Sequence, residues 1–322
     1  MKAVYIEKTG GPEVLIYGDR PKPQAAAGQA VVKLAASGVN FIDTYHRSGL
    51  YKIPLPAILG GEGAGVVESV GEGVTTVKPG DRVAYATSRG AYAEYAAAPE
   101  TALVQIPASV SFKDAAAVML QGMTAHYLTH STFPLKKGDT MLVHAAAGGT
   151  GRLIVQMAKM LGARVIGTAG SPAKAQIARE AGADEVILYR EQDFLEETRR
   201  LTGGKGVDVV YDSVGATTFL KGLDCLRPRG MMVQFGNASG AAPAIEPLVL
   251  NQKGSLFLTR PTLFHYVATR QELEWRAGDL LRWLAEKKLV LKIDKVYPLQ
   301  DAAQAQADLE GRKTSGKLVL EP

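Results

Sequence analysis

The sequence predicts an α/β protein in which a β-rich segment precedes a doubly wound parallel sheet. Three observations predict this fold. Residues 1 to about 110 hold short apolar runs bounded by glycine, proline and charge; strand and helix patterns alternate from about residue 112; and a glycine turn, AAGGTG at 146–151, follows a predicted strand and opens a predicted helix. Alternating units with continuous apolar strands are typical of a parallel sheet covered on both faces.

Length and composition favour a two-domain globular protein. The chain has 322 residues, a length that exceeds what one hydrophobic core usually serves. Its composition, 46% hydrophobic and 21% charged, is that of an ordinary globular protein. The net charge of +5 is scattered, which is weak support for nucleic acid binding. A single cysteine, Cys225, excludes an intramolecular disulfide and a multi-cysteine zinc site. No apolar run reaches membrane-spanning length and the start MKAVYIEKTG lacks a signal-peptide core, so we expect a cytoplasmic protein without a membrane partner.

The first segment is predicted to consist of strands. AVVKLAASGVNF, GAGVVESVG and DRVAYA are short apolar runs separated by turn residues, and no useful helical period is evident before about residue 112. There the pattern changes to a helix over SFKDAAAVMLQGMTAHYLTHSTF, with Ser111 as its N-cap and Asp114 at the third position.

The middle of the chain repeats a strand–helix unit. After the strand TMLVHA and the glycine turn, an apolar helix face formed by Leu153, Ile154 and Met157 ends at Gly162. Further predicted strands are ARVIGTA, EVILY, VDVVYDS, MMVQFGN and SLFLT, and the helices between them are SPAKAQIAREAG, DFLEETRRLTGG and TTFLKGLDCLRPRG. We expect a doubly wound nucleotide-binding domain over residues 123–289. A long amphipathic helix, QELEWRAGDLLRWLAEKKL, closes it, and the strand-like KLVLE near the chain end is expected to return to the first domain.

The glycine turn predicts a dinucleotide site. Ala146, Gly148 and Gly151 fill the three small positions of the dinucleotide fingerprint, which permit the tight turn, the approach to a pyrophosphate and the packing of the helix on the sheet. The helix N-terminus then offers free N–H groups to the phosphates.

The end of the next strand favours NADPH over NADH. An NAD protein usually has Asp or Glu there to bind the ribose 2′-hydroxyl, whereas this chain has Thr168-Ala169-Gly170-Ser171, followed by Lys174. A cation in place of the acid suits a 2′-phosphate. The alternative is that Lys174 is an ordinary solvated helix lysine.

Several motifs together resemble a known family. GGPEVL, GVNFIDTYHRSGLY, AAAGGTG, VVYDSVG, FGNASG and NQKGSLFLTRP span nearly the whole chain. They resemble the zinc-free NADPH:quinone oxidoreductases, of the zeta-crystallin type, in the medium-chain dehydrogenase/reductase superfamily. The resemblance implies a GroES-like catalytic domain of residues 1–122 and 290–322, a Rossmann NADPH-binding domain of residues 123–289, an active cleft between the two, and a homodimer.

The resemblance also implies the site residues and the reaction. Asn40, Asp43 and Tyr45 are expected beside the nicotinamide, and Tyr51 matches a tyrosine proton donor of enoyl reductases in the superfamily. The remaining cofactor-binding residues it implies are Thr124, Gly148, Gly149, Gly151, Gly170, Lys174, Tyr189, Ser213, Phe235, Gly236, Asn237, Arg260 and Arg312. The implied reaction is NADPH-dependent reduction of small quinones, whose first product, semiquinone or hydroquinone, stays open.

The resemblance further implies a site without metal. Zinc-using relatives have a ligand cysteine where this chain has Asn40, and a histidine where it has Gly61. His126 and His130 have the spacing of a helical metal pair, but no third ligand is evident, so we interpret them as structural or surface residues.

Two alternatives remain at this point. One is NADPH-dependent reduction of an activated C=C bond in an enone or enoyl thioester, which Tyr51 would suit. The other is a non-enzymatic role, crystallin-like or RNA-binding. We do not expect nucleic acid binding, because no basic, aromatic groove is evident.

Overall fold

The computed structural model describes residues 1–311 and 313–322. Its contacts divide the chain into two compact units, one of Met1–Met123 with Tyr266–Pro322 and the other of Thr124–His265. The predicted domain boundary after residue 289 differs from this division. The long helix before it groups with the first unit, where Arg270 donates to the carbonyl oxygen of Leu103 at 2.7 Å.

The first part of the chain is rich in short strands, as the sequence predicts. In order, the elements are β1 (Lys2–Ile6), β2 (Ile16–Asp19), β3 (Gln29–Val39), α1 (Phe41–Ser48), β4 (Ala57–Ile58), β5 (Glu62–Val70), β6 (Arg82–Ala86), β7 (Tyr95–Pro99), β8 (Val104–Gln105) and α2 (Phe112–Tyr127). A π-helical turn, Leu128–Thr132, continues α2.

The middle of the chain alternates strands and helices, and the last part holds four further elements. The alternating elements are β9 (Thr140–Val143), α3 (Gly149–Met160), β10 (Arg164–Ala169), α4 (Pro172–Glu180), β11 (Glu185–Leu188), α5 (Phe194–Leu201), β12 (Val207–Asp212), α6 (Phe219–Leu223), β13 (Leu226–Gln234), α7 (Leu248–Gln252), β14 (Phe257–Thr259) and α8 (Leu263–Tyr266). The last four are α9 (Arg270–Ala285), β15 (Ile293–Pro298), α10 (Ala302–Glu310) and β16 (Lys317–Glu321).

The second unit contains a six-stranded parallel sheet in the order β11-β10-β9-β12-β13-β14. Its central strands are almost fully buried, and Leu142, Ile166 and Val210 lie side by side on one face of the sheet, in an apolar cluster with residues of α5 and α6. The strand order reverses between β9 and β12, which is where doubly wound sheets bind ligands at their carboxyl ends. The predicted fold class is confirmed.

The first unit contains a seven-stranded sheet in the order β15-β16-β3-β5-β6-β8, with β7 also pairing with β3, and a small sheet of β2, β1 and β4. β16 pairs antiparallel with β3, and Leu318 lies opposite Val39. The chain end therefore returns to the first unit, as the KLVLE pattern predicts. Leu318 and Leu320 pack there with Val4, Ile6 and Leu59 in one apolar core.

Two sequence predictions of helices are wrong. No helix was expected before residue 112, yet α1 forms two turns after Asn40 and stops at Gly49, whose φ of 83° is left-handed. Such a short helix leaves too few apolar repeats to show a period. The helix predicted over 217–230 ends at Leu223, because Pro228 cannot donate within a helix and Leu226 pairs with Val207 in the sheet.

Across the described residues, no helix combines the length and apolar character that crossing a membrane requires.

Candidate functional site

The predicted site residues fall into two groups, one in each unit. In the first unit, Asn40 and Asp43 form the first turn of α1. The Asn40 backbone N–H donates to Asp43 Oδ2 at 2.9 Å, and the Asp43 N–H donates to the Asn40 carbonyl oxygen at 3.0 Å. Both side chains are buried, with 2% and 0% of their surface exposed. Their mutual hydrogen bonds hold the first turn of α1 on its buried side.

The Asp43 carboxylate has few compensating partners for a fully buried acid. Oδ2 accepts from the Asn40 N–H and from the Tyr92 hydroxyl at 3.0 Å, while Oδ1 has no hydrogen-bond partner among the described residues. Burial raises the pKa of Asp43 to about 6, against the lowering effects of the Asn40 and Tyr92 hydrogen bonds and of Lys317. The carboxyl group therefore titrates close to neutral pH.

Four half-buried aromatic side chains lie close together on α1 and just after it. The rings of Tyr45 and Tyr51 meet edge to face with centroids 5.3 Å apart, and Phe41 and His46 lie 6.3 Å from Tyr45 and 6.2 Å from Tyr51 respectively. The Tyr51 N–H donates to the Tyr45 carbonyl oxygen at 3.1 Å. The predicted Tyr45 and Tyr51 are thus brought together, half-buried, in an arrangement that suits a flat apolar ligand.

A buried ion pair that the sequence analysis missed supports this turn. Lys317 Nζ lies 2.6 Å from Glu62 Oε2 and 2.6 Å from Asn40 Oδ1, and Asn40 Nδ2 donates to Glu62 Oε2 at 2.8 Å. The other carboxylate oxygen of Glu62 accepts the Leu120 backbone N–H of α2 at 2.5 Å. The sequence offers one signal for this pair, because Lys317 is a charged residue at the start of the apolar run KLVL. The sequence does not indicate which residue it pairs with.

The candidate metal ligands do not cluster in the described part of the chain. Among the described residues, no group of three or more His, Cys, Asp and Glu could hold a metal ion. The two candidate oxygen ligands near position 40, Asn40 Oδ1 and Glu62 Oε2, both accept from the Lys317 ammonium. In the second unit, the rings of His126 and His130 stack with centroids 4.2 Å apart, and His130 Nδ1 bonds to the His126 carbonyl oxygen. The two imidazole rings therefore pack face to face.

The glycine turn in the second unit has the geometry of a phosphate cradle. Gly148 is the N-cap of α3 and supplies no side chain to the first-turn N–H groups of that helix. A Cβ at Gly151 would collide with the Ala145 carbonyl oxygen, and one at Gly148 would lie 3.1 Å from the same atom. Ala145 itself has a φ of 53°, which makes the turn tight. The uncapped N–H groups of Gly149 and its neighbours are therefore open to an anion.

The end of β10 brings together the residues predicted for the adenosine end of the cofactor. A Cβ at Gly170 would lie 2.6 Å from the Tyr189 hydroxyl, so only glycine lets the phenol lie against the backbone there. Tyr189 follows β11 and is 41% exposed. Lys174 occupies the third position of α4, where its N–H donates to the Ser171 hydroxyl at 3.3 Å. The residues present thus fit an NADPH adenosine, with a cation and a phenol and no carboxylate at the strand end.

The ends of β12 and β13 carry adjacent loops that hold four predicted residues. A Cβ at Gly236 would lie 2.5 Å from the Ser213 carbonyl oxygen, and the Phe235 N–H donates to the Asp212 carbonyl oxygen at 2.8 Å. Asn237 follows at once, and Gln234 Nε2 donates to its Oδ1 at 3.2 Å. Ser213, Phe235, Gly236 and Asn237 therefore line one end of the sheet.

Asp212 fixes this end of the sheet and was missed by the sequence analysis. The carboxylate is fully buried and accepts the N–H groups of Val214 and Gly215 at 2.7 and 3.1 Å and the Thr218 hydroxyl at 2.8 Å. The sequence contains a pattern that is typical of a loop, because Asp212 is followed three residues later by Gly215.

The remaining predicted residues lie as follows. Thr124 is half-buried in α2, and Arg260 follows β14, where Nη1 donates to the Pro261 carbonyl oxygen at 3.2 Å. Arg312 lies outside the described residues. Cys225 is buried, and desolvation raises the pKa of its thiol to about 12, which keeps it protonated and unreactive.

The chain is similar to known proteins over its whole length. Residues 26–108 match the family model described as the alcohol dehydrogenase GroES-like domain, and residues 149–286 match the one described as zinc-binding dehydrogenase. The chain is 46% identical over 323 residues to a quinone oxidoreductase of Pseudomonas aeruginosa, covering 100% of this chain and 99% of that one. It is 44% identical to a 2-haloacrylate reductase of a Burkholderia species, covering 99% of this chain and 98% of the relative.

A solved structure is similar over its whole length. The Escherichia coli quinone oxidoreductase, crystallised in complex with NADPH, has a TM-score of 0.98 and 46% identity, with 100% of both chains covered.

Asp43 gives the first unit a specific pH dependence. Its pKa is raised from 3.8 to about 6 by folding, so the folded state holds the proton more tightly and the associated stability is lost as pH rises from about 4 through 6. This corresponds to about 3 kcal/mol. In Asp43→Asn, an amide takes the place of the unpartnered oxygen. As the pH rises from 4 to 7, the unfolding free energy of the wild type should therefore fall by up to about 3 kcal/mol relative to that of the variant, which has no carboxyl group to titrate at this position.

Urea unfolding at a series of pH values measures this difference. Asp294→Asn, which changes an exposed aspartate of the same unit, is the control and should follow the wild-type pH dependence. A difference between Asp43→Asn and the wild type that does not vary with pH would show that the buried carboxyl titrates normally.

Proposed function

Because the chain belongs to the quinone oxidoreductases of the medium-chain dehydrogenase/reductase family, we propose that it reduces small quinones with NADPH. The observation that carries the proposal is the cradle at the start of α3 together with Gly170, Lys174 and Tyr189, which suits a dinucleotide bearing a 2′-phosphate. The Escherichia coli relative was solved with NADPH, and relatives of 46–47% identity are quinone oxidoreductases.

The protein's part in the reaction is binding and orientation. NADPH, when bound, supplies the hydride. The uncapped N–H groups at the start of α3, from Gly149 to Gly151, would hold the pyrophosphate, and Lys174 and Tyr189 would contact the 2′-phosphate through charge and a phenolic hydrogen bond. Tyr45 and Tyr51 offer aromatic faces to the flat ring of a quinone. One hydride and one proton convert a quinone into a hydroquinone. The acceptor needs little polarisation by a metal, because the reduced ring is a stabilised phenolate.

We propose that the reaction proceeds without zinc. Asn40 and Gly61 stand where zinc-using relatives have ligands. In addition, the ammonium of Lys317 donates to the side-chain oxygens of Asn40 and Glu62. A cytoplasmic location remains a prediction from the sequence.

The activity is tested by NADPH oxidation against benzoquinone, naphthoquinones, enones, 2-haloacrylate and crotonyl-CoA. We expect the quinones to give the highest kcat/KM, and dialysis against a chelator to leave it unchanged. Quinone reduction that a chelator abolishes and zinc restores would contradict the zinc-free site. No oxidation of NADPH by any quinone would contradict the activity.

Reduction of an activated C=C bond is the second candidate function, favoured by the 2-haloacrylate reductase relative and by the position of Tyr51 beside Tyr45. In that reaction a hydride goes to the β carbon and a proton to the α carbon. If Tyr51 donates the proton, Tyr51→Phe should lower enone reduction by about 100-fold and leave quinone reduction nearly unchanged. Equal small effects on both substrates would leave Tyr51 as a wall of the site.

Lys174 is expected to set the cofactor preference. A hydrogen bond to a charged group contributes about 1.5–3 kcal/mol, so Lys174→Ala should weaken NADPH by roughly 10- to 100-fold, through KM more than kcat. NADH lacks the phosphate and should be used equally well by both proteins. Arg179→Ala removes an exposed cation from the other end of α4 and should change neither cofactor.

The measurement is kcat/KM for both cofactors with one quinone. A wild-type preference for NADH, or an equal loss for both cofactors in Lys174→Ala, would show that the 2′-phosphate is not bound there.

We also propose a homodimer formed through β14. This strand ends the six-stranded sheet, and Phe257 and Leu258 on it are 57% and 38% exposed. An apolar sheet edge of this kind favours pairing with a second copy. Light scattering should give twice the chain mass for the wild type and the chain mass for Phe257→Asp. The control Ile16→Asp, on the edge strand β2, should stay dimeric. A monomeric wild type at micromolar concentration would contradict the proposal.

A further inference from the structure

Lys317 is a lysine buried inside the first unit, with 2% of its surface exposed. A buried ammonium is stable only when it is paired and its donors are used. Its two described partners are Glu62 Oε2 and Asn40 Oδ1, each at 2.6 Å. Glu62 is 0% exposed, so the pair is fully removed from water.

The register of the seven-stranded sheet brings the three residues together. Leu318 lies opposite Val39, which places Lys317 beside Asn40 at the end of β3. Gly63 lies opposite Ser37, which places Glu62 beside Gly38. A Cβ at Gly38 would collide with the Glu62 carboxylate and lie 2.7 Å from the Ala116 carbonyl oxygen. The glycine therefore makes room for the carboxylate over β3.

The two charges contact opposite ends of one carboxamide. The ammonium of Lys317 donates to Asn40 Oδ1, while Asn40 Nδ2 donates to the carboxylate of Glu62 at 2.8 Å. Reversing the amide would place NH₂ against the ammonium and the oxygen against the carboxylate. Because both contacts would then be repulsive in a water-free site, the ion pair permits one orientation of Asn40.

That orientation matters because Asn40 is the N-cap of α1, the helix that carries Tyr45 and precedes Tyr51. Asn40 precedes α1, and its N–H is held by Asp43 Oδ2, which Tyr92 also contacts. Tyr45 lies on α1, and the Tyr51 N–H is bonded to its carbonyl oxygen. The position of both aromatic rings thus depends on the first turn of the helix.

We propose that Lys317 is a positioning residue of the reductase, whose ammonium, with Glu62, fixes the Asn40 carboxamide and the first turn of α1 and so places Tyr45 and Tyr51 for the acceptor. The inference rests on the proposed function, in which these tyrosines line the acceptor site.

The test replaces the ion pair by neutral side chains of similar size. In Lys317→Met/Glu62→Gln no buried charge is left without a partner, so the fold should survive. The glutamine can still accept the Leu120 N–H, and its NH₂ can donate to Asn40 Oδ1 once the carboxamide has reversed. In this variant the side chains at positions 40 and 62 remain hydrogen-bonded, but the Asn40 carboxamide is no longer held in one orientation. Lys317→Arg keeps the cation and is the rescue.

Lys113→Met is the matched control. It removes a lysine–glutamate pair with the same 2.6 Å distance, formed with Glu321 at the other end of β16, but one that is 45% and 48% exposed. We expect it to behave like the wild type in every measurement, because an exposed pair contributes little.

The readouts are kcat and KM with NADPH and one quinone, the isotope effect with NADPH deuterated at C4, and the melting temperature. We expect the double variant to melt close to the wild type, to bind NADPH with a similar KM, and to lose roughly 10- to 100-fold in kcat, since displacing the reactants by about 1 Å costs on this order. Its isotope effect should rise, because hydride transfer becomes slower than the other steps. Lys317→Arg should recover kcat and the wild-type isotope effect.

Two results would overturn the proposal. One is a folded double variant with wild-type kcat and isotope effect. The other is lower activity with an unchanged isotope effect and a lower melting temperature, which would make Lys317 a stabilising residue only.

Amide hydrogen exchange tests the geometry without any activity. The N–H groups of Asp43 and Thr44 should exchange slowly in the wild type and faster in the double variant. Rapid exchange of both in the wild type would contradict a fixed first turn even if the double variant does not fold. A wild type that reduces no quinone would refute the proposed function alone, since the exchange measurement would still report on the ion pair.

Discussion

The ion pair between Glu62 and Lys317 is the interaction on which the orientation of Asn40 and the start of α1 depend. Glu62 joins three separate elements, because its carboxylate contacts Asn40 after β3, Lys317 on β16 and the Leu120 N–H of α2. A charge pair buried this fully is a weak source of stability, since desolvation offsets most of the attraction. The observed register of β16 against β3 places Lys317 beside Asn40 and leaves both charges paired.

The second unit relies on backbone geometry where the first relies on charge. Glycines at 148, 151, 170 and 236 occupy points where a Cβ would approach a neighbouring carbonyl oxygen or the Tyr189 phenol. The loop that carries Ser213 is held by the buried Asp212 carboxylate. Rigid backbone donors of this kind bind phosphates at little entropic cost, because they are ordered before the ligand arrives. The two units thus offer different groups: backbone N–H donors at the start of a helix in one, and aromatic rings near buried charges in the other.

Local sequence features predicted the fold and much of the candidate site. The AAGGTG turn is informative because its glycines, its strand and its helix are adjacent in the chain, and Ser171-Pro172 marks the start of α4 in the same way. The Glu62–Lys317 contact spans 255 residues and follows from strand register, which one sequence does not display. α1 is too short to show a helical period. Pro228 and Leu226 turned a predicted helix into part of β13.

A crystal structure with bound NADPH tests the central claim, that this chain is an NADPH-dependent reductase, most directly at the cofactor. The geometry predicts pyrophosphate oxygens within hydrogen-bonding distance of the first-turn N–H groups of α3. It also predicts the 2′-phosphate in contact with Lys174 and Tyr189. A nucleotide bound with its pyrophosphate away from Gly148–Gly151, or with its 2′-phosphate in solvent and free of both side chains, would contradict it.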